Sequence, residues 1–163
     1  MEPEILMAVS TAKSISLDRI SSGGRPQWTL REVGMACGGL PHHKFDAAMF
    51  TWAGDDSVRK RLSLWLLEWG LQERETRNWP KRVVTLAGAR PFMSDLCDLW
   101  LCEVRAPWRF ERAPNRPNMR RIVMDVSEQV WSTRLEPIYK EISNEFCRWL
   151  LDAYERIEER TRR

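Results

Sequence analysis

Long hydrophobic runs are missing from this 163-residue sequence, and no apolar stretch approaches the roughly 18–20 residues that span a bilayer. The start of the chain carries Glu2 and Glu4 and lacks the apolar segment of a signal peptide. We therefore expect a cytoplasmic protein without a membrane partner. Nine tryptophans and 43% hydrophobic residues are enough for one well-packed domain, which argues against wholesale disorder.

The residues of common catalytic and metal-binding motifs are also scarce. Four cysteines occur, none of them in a CxxC pair: Cys37, Cys97, Cys102 and Cys147. A zinc site built from Cys37 and the His42-His43 pair would lack further ligands at useful spacing. No glycine-rich phosphate loop, HExxH motif or clear nucleophile–base set is present. We expect reduced, mostly buried thiols, no metal, no cofactor and no enzymatic activity.

Lysine is scarce among the cations, since 21 of the 26 basic residues are arginine. The planar guanidinium fork suits phosphates and guanine edges, although a GC-rich genome would also favour arginine codons. The whole chain has a formal net charge of only +3, yet the stretch 105–134 holds seven arginines against three acids. Codon bias does not explain that clustering, so this stretch is a candidate interface.

Helical spacing and end signals predict an all-α fold, a compact domain of six or seven helices. Thr29 and Glu32 form a capping-box pattern before a helix over 30–37, which Gly38-Gly39 should end. A helix from His42 to Gly54 should follow, and then the longest one, over 57–77. We expect that longest helix to be buried on more than one face through Leu62, Trp65, Leu66 and Trp69, widened by Leu64, Leu67 and Leu71.

Two prolines predict further helix starts. Pro80 should open a helix that Gly88 ends, although Val83-Val84 leaves a strand possible there, and Pro91 should open a helix over 92–104. The chain then divides into an N-terminal arm (1–26), a helical body (27–104), a Pro- and Arg-rich loop (105–118), a helix-turn-helix-like unit (119–150) and a charged helical extension (151–163).

The helix-turn-helix-like unit consists of two apolar-periodic segments, 119–126 and 131–149, around a polar turn at 127–129. A DNA-reading helix needs polar side chains in its first turns and apolar ones behind them. Ser132 is a candidate N-cap, and Pro137 must fall in the opening turns or kink the helix. Trp131 is either part of this surface or part of the core. The unit lacks the glycine of the commonest helix-turn-helix turns.

Two motifs give the chain a family resemblance. The segment Trp131-Ser-Thr-Arg-Leu-Glu-Pro-Ile-Tyr139 resembles one in the Q-type late-gene antitermination proteins of lambdoid phages. Gly34-Met-Ala36, Ala47-Ala48-Met-Phe50 and the helix from Asp55 through Trp69 resemble that family's N-terminal helices in order and spacing. The likeness covers about residues 33–150. Family members carry a zinc-ribbon-like insert with paired CxxC motifs where this chain has the cysteine-free loop 105–118. Metal dependence is therefore not expected, and Trp108 and Phe110 should anchor the loop.

The resemblance implies a protein that binds a promoter-proximal DNA element and engages sigma-containing bacterial RNA polymerase at a pause. It would then travel with the enzyme and promote read-through of terminators by obstructing the RNA exit path. DNA would be contacted by Ser132, Thr133, Arg134 and Lys140, with Arg116, Arg120 and Arg121 beside them. Two alternatives stay open: a plain DNA-binding repressor or activator, and a protein-binding module that inhibits a host factor.

Overall fold

The structure, a computed structural model, describes residues 29–76, 89–111 and 113–161. Within these ranges the fold is all-α, as predicted, and contains no strand. The α-helices are α1 (Leu30–Cys37), α2 (His42–Trp52), α3 (Arg59–Thr76), α4 (Ala89–Arg105), α5 (Met119–Val123), α6 (Glu128–Val130) and α7 (Glu136–Thr161). Single turns of 3-10 helix cover Asp56–Val58 and Pro107–Arg109, and a π-turn covers Trp131–Leu135. The predicted N-terminal arm and the element between Pro80 and Gly88 lie outside the described residues.

No helix in the described ranges is long and apolar enough to pass through a bilayer. The described residues form two compact units: those up to Leu62 together with those from Glu145 onward, and those from Ser63 to Asn144. This division differs from the predicted segments, because it separates the predicted helical body after Leu62 and the predicted two-helix unit after Asn144.

Local end signals fix the first helices as predicted. The Glu32 N–H donates to Thr29 Oγ1 at 3.2 Å, and the Thr29 N–H donates to Glu32 Oε2 at 2.7 Å, which completes the capping box. Gly39 follows the helix with a φ of 91°, a left-handed conformation that glycine adopts without steric cost. Asp55 likewise caps the turn before α3, because its carboxylate accepts from the Ser57 N–H at 2.9 Å.

Polar contacts tie the elements of the first unit around its apolar core. The buried Asp46 carboxylate accepts two hydrogen bonds from Arg61, at 3.0 and 2.9 Å. Near the end of α7, Arg160 donates to the carbonyls of Met35 and Gly38 and thereby satisfies the open C-terminus of α1. The core consists of Val33, Cys37, Ala47, Ala48, Met49, Phe50, Ala53, Val58, Leu62, Phe146, Cys147, Trp149, Leu150, Ala153 and Ile157.

In the second unit, α3 buries a narrower face than predicted. Leu66, Leu67 and Gly70 are buried, whereas Leu64 is exposed and Trp65 is 37% exposed. A Cβ added at Gly70 would stand 2.9 Å from the Met93 sulfur, so the absence of a side chain lets Met93 of α4 pack closely against this helix. Of the predicted stripe, Leu62 and Leu66 are buried, Trp69 is half-buried and Trp65 is exposed. The sequence pattern missed Gly70 because a glycine adds nothing to the hydrophobic periodicity.

The cysteines are free thiols, and three of them are buried, as predicted. Burial raises the pKa of Cys37 to about 11 and that of Cys97 to about 12. Both thiols therefore stay protonated near neutral pH, and neither has the character of a reactive nucleophile.

Candidate nucleic-acid interface

The helix, turn and helix expected in the C-terminal third are present, but the turn lies earlier than predicted. Helix α5 ends at Val123, and α6 begins at Glu128. In between, the Val126 N–H donates to the Arg121 carbonyl at 3.2 Å and the Asp125 N–H donates to the Ile122 carbonyl at 3.1 Å. These two bonds form a Schellman motif, which ends the helix sharply and turns the chain. The predicted turn at 127–129 is wrong, since Glu128 and Gln129 are already helical.

Asp125 occupies the position that glycine takes in most turns of this type. Its φ of 51° is left-handed, and it is the sole non-glycine residue with positive φ in the described ranges. Side chains with a Cβ are disfavoured there by about 1–2 kcal/mol, less for Asp and Asn. The turn was not predicted at this position because the sequence lacks the glycine that usually marks such a turn.

Replacing Asp125 with glycine should therefore leave the fold intact and raise its free energy of unfolding by up to about 1 kcal/mol, after the entropic cost of glycine. Asp125→Ala, which keeps the Cβ and loses the polar group, should instead lower it. Urea unfolding of the two variants measures both effects. A destabilised glycine variant beside an unaffected alanine variant would contradict the left-handed turn.

Ser127, and not Ser132 as predicted, caps the second helix. Its hydroxyl accepts from the Val130 N–H at 3.2 Å, and its carbonyl accepts from the Trp131 N–H at 2.9 Å. The helical run from Glu128 to Thr161, which we call the long helix, is then continuous through the π-turn. Residues 132–134 thus lie in its second turn, behind Glu128 and Gln129, and not at its leading end.

The π-turn explains how Pro137 is accommodated ten positions into a helical run. Proline has no N–H, and its ring crowds the carbonyl four residues earlier, here that of Thr133. A wider turn relieves this crowding, and the Glu136 N–H accordingly reaches back five residues to the Trp131 carbonyl. Pro137 neither starts the helix nor breaks it, and it sits directly behind a local widening of the backbone.

The side chains on the inner side of the long helix are buried in the core. Trp131 is 1% exposed, and its ring lies 5.5 Å from that of Tyr139, which is itself 5.8 Å from Trp100 of α4. Leu135, Ile138 and Ile142 are completely buried at spacings of three and four. Of the two interpretations of Trp131, the core one is correct.

The outer side carries the predicted polar residues. Ser132, Thr133 and Arg134 are exposed, together with Gln129 one turn earlier. Both hydroxyls are engaged locally: Ser132 donates to the Gln129 carbonyl at 3.3 Å and Thr133 donates to the same oxygen at 2.6 Å. Lys140 lies further along the helix, exposed and 3.6 Å from Glu136. We call Glu128, Gln129, Ser132, Thr133 and Arg134 the polar edge.

The Arg120 guanidinium, which was predicted to contact phosphates, is engaged within the protein. Its guanidinium forms a two-bond ion pair with the buried Glu103 of α4, at 2.9 and 2.5 Å, and lies 5.7 Å from the Tyr139 ring. Burial by itself would lower the pKa of Arg120, but hydrogen bonds and attraction to Glu103 leave that pKa raised. The arginine therefore stays charged and fixes α5 to the core.

Tyr139 completes this buried group by donating its hydroxyl to Glu103. Burial, followed by the nearby Glu103 charge, raises the pKa of Tyr139 far above its ordinary value, so the phenol keeps the proton that it donates. Glu103, Arg120 and Tyr139 thus join α4, α5 and α7 within the second unit, and we call them the buried triad. Nothing in the local sequence signals it, since its members are 17 and 36 positions from Glu103 along the chain.

The remaining predicted cations differ in accessibility. Arg116 is exposed in the loop, whereas Arg121 is half-buried and 3.2 Å from Glu128. Of the two predicted loop anchors, Phe110 is buried as expected, but Trp108 is exposed, which contradicts its predicted role. No group of three or more His, Cys, Asp or Glu residues suited to a metal ion occurs among the residues that the structure describes.

The C-terminal third thus consists of a short helix, a Schellman turn and a long helix with a buried inner side and a polar outer edge. Comparison with known proteins adds no family to this description: no family model matches the chain, and neither a curated protein nor a solved structure matches it.

Proposed function

We propose that this protein is a DNA-binding transcription factor whose polar edge enters the major groove of a duplex. The observation that carries the proposal is the combination of a helix–turn–helix with an exposed polar edge backed by a tightly packed inner side. A reading helix needs both features, because its outer residues must reach base edges while its inner residues hold it rigidly on the domain.

Positive charges around the polar edge support phosphate contacts. Fewer side chains can make these contacts than the number of arginines in the stretch 105–134 indicated. Arg120 forms an ion pair with Glu103, and Arg121 forms one with Glu128, so we assign both arginines a structural role. Arg116, Arg134 and Lys140 are exposed, and they are the cations that we assign to DNA. Phosphate contacts from Arg116 and Lys140 would fix orientation and register on the duplex, and Arg134 lies on the polar edge itself.

Within this class, the resemblance to Q-type antitermination proteins favours a specific activity. We infer that the DNA-bound protein loads onto sigma-containing RNA polymerase at a promoter-proximal pause and promotes read-through of terminators. That inference depends on the ordered motif matches over about residues 33–150, and the polymerase contact would use the rest of the helical body.

Transcription with purified bacterial polymerase tests the proposal. The protein's DNA element is first isolated by selection from a random duplex pool and then placed near the promoter of a template with a downstream terminator. We expect read-through to rise on this template, to stay at the basal level on one with a scrambled element, and to fall with Arg134→Ala. Arg148→Ala, an exposed arginine further along the same helix, is the matched control and should behave like the wild type.

Other results of these experiments would contradict part or all of the proposed function. Specific DNA binding with unchanged read-through would overturn antitermination and identify a repressor or activator. Equal read-through on the template with the scrambled element would show that the activity does not depend on binding to that DNA element. Binding to duplex that is weak and nearly independent of salt would contradict DNA binding altogether, since phosphate contacts release counterions and make affinity fall steeply with salt.

A further inference from the structure

We propose that Gln129 and Arg134 are the two residues that read bases, whereas Ser132 and Thr133 only shape the helix that carries them. This inference rests on the proposed DNA-binding function and deepens it. It changes the sequence-based assignment, which gave Ser132 and Thr133 a direct role and placed Gln129 in a turn.

The hydroxyls of Ser132 and Thr133 are poorly placed for base recognition because their protons are used within the helix. Both donate to the Gln129 carbonyl, and the Thr133 bond, at 2.6 Å, is the shorter. A hydroxyl has a single proton to donate, so each can only accept from a base while its present bond lasts. Their hydrogen bonds brace the Gln129 carbonyl, which lies two residues before the π-turn.

Gln129 and Arg134, by contrast, have side chains that are open to a ligand. Both are exposed, and neither side chain forms a hydrogen bond or ion pair with any residue in the described ranges. Glu128, the other charged member of the polar edge, is 3.2 Å from Arg121 and is occupied by it. Among the described residues, the recognition groups of the polar edge without an internal partner are therefore one carboxamide and one guanidinium.

The π-turn reduces the angular separation expected between these two side chains. In an α-helix, with about 3.6 residues per turn, side chains five positions apart point about 140° apart around the axis. A π-turn closes hydrogen bonds between residues five apart, so each turn holds more residues and side chains at that spacing diverge less than in an α-helix. The widened turn at Trp131–Leu135 overlaps most of the stretch between Gln129 and Arg134, so the angle between these two side chains should be smaller than in a regular α-helix.

The chemistry of the two groups indicates what they read. A carboxamide donates and accepts at once, which matches N7 and N6 of adenine, and a guanidinium donates twice, which matches N7 and O6 of guanine. Both patterns are displayed in the major groove. The binding element should therefore contain an adenine and a guanine close together in each recognised site.

Selection from a random duplex pool with single variants tests this assignment. Wild-type protein should enrich a motif with one required A·T pair and one required G·C pair. Gln129→Ala should lose the A·T requirement alone, and Arg134→Ala should lose the G·C requirement alone, each weakening binding to the wild-type motif by about 5- to 150-fold. Ser132→Ala and Thr133→Ala should retain both requirements.

Two control variants match the test residues in exposure and type. Gln72→Ala on α3 and Arg148→Ala on α7 should enrich the wild-type motif unchanged. Circular dichroism checks that every variant is folded. A wild-type motif that Gln129→Ala and Arg134→Ala leave unchanged would overturn the assignment while leaving DNA binding in place. Failure of the wild type to enrich any motif would overturn the assignment and the proposed function together.

Discussion

Replacing Arg120 with alanine should lower the free energy of unfolding by about 3–5 kcal/mol, because the Glu103 carboxylate would remain buried without its cation. The Glu103 side chain is 7% exposed and that of Arg120 is 20% exposed, so solvent screens their pairing weakly. The Tyr139 hydroxyl alone would then have to stabilise the charge. Urea unfolding followed by circular dichroism measures the loss.

The adjacent arginine provides the control. Arg121 pairs with Glu128, but their side chains are 31% and 61% exposed, so Arg121→Ala should cost only about 0–1 kcal/mol. In a Glu103→Gln background, Arg120→Ala should cost much less than in the wild type, since no buried charge is left behind. Equal and small losses for the two arginine variants would show that the buried triad does not hold α5 in place.

Trp131→Ala should be comparably damaging, with a loss of about 3–5 kcal/mol, because it removes a large side chain that is 1% exposed and contacts the Tyr139 ring. The cavity would lie directly beneath the polar edge. We therefore expect DNA binding to weaken together with stability in this variant, whereas Arg134→Ala should weaken binding and leave stability unchanged.

Trp65→Ala is the matched control for Trp131→Ala, because Trp65 is 37% exposed and its removal leaves a smaller cavity. Its cost should be clearly lower. A Trp131 variant as stable as the Trp65 variant would mean that the inner side of the long helix is not the core of this unit, and the rigid support that a reading helix needs would be missing.

Signals confined to a few neighbouring residues allowed the helix ends to be predicted. Thr29 with Glu32, Gly38-Gly39 and Asp55 each act within one turn of themselves, so their sequence pattern already contains the interaction. The inner side of the long helix was predictable for the same reason, since Leu135, Ile138 and Ile142 recur at helical spacing whatever they pack against.

Such local signals could not predict the turn at Asp125 or the buried triad. Asp125 holds a conformation that the sequence rules assign to glycine, which moved the predicted start of the second helix from Glu128 to Trp131. Nothing in the sequence distinguishes Arg120 from Arg116 and Arg121, and only its tertiary contact with Glu103 does so. The DNA-binding role predicted for Ser132, Thr133, Arg134, Lys140, Arg116, Arg120 and Arg121 stays a prediction, and Arg120 and Arg121 are engaged in ion pairs within the protein.

The most direct measurement of the central claim is the change in NMR signals when a duplex carrying the selected motif is added to the labelled protein. If the polar edge lies in the major groove, the largest changes should fall on the Gln129 carboxamide, the Arg134 side chain and the backbone amides of residues 128–134. The exposed residues of α1 and α3 should change little. Large changes on α1 or α3, with the polar edge unaffected, would contradict the claim.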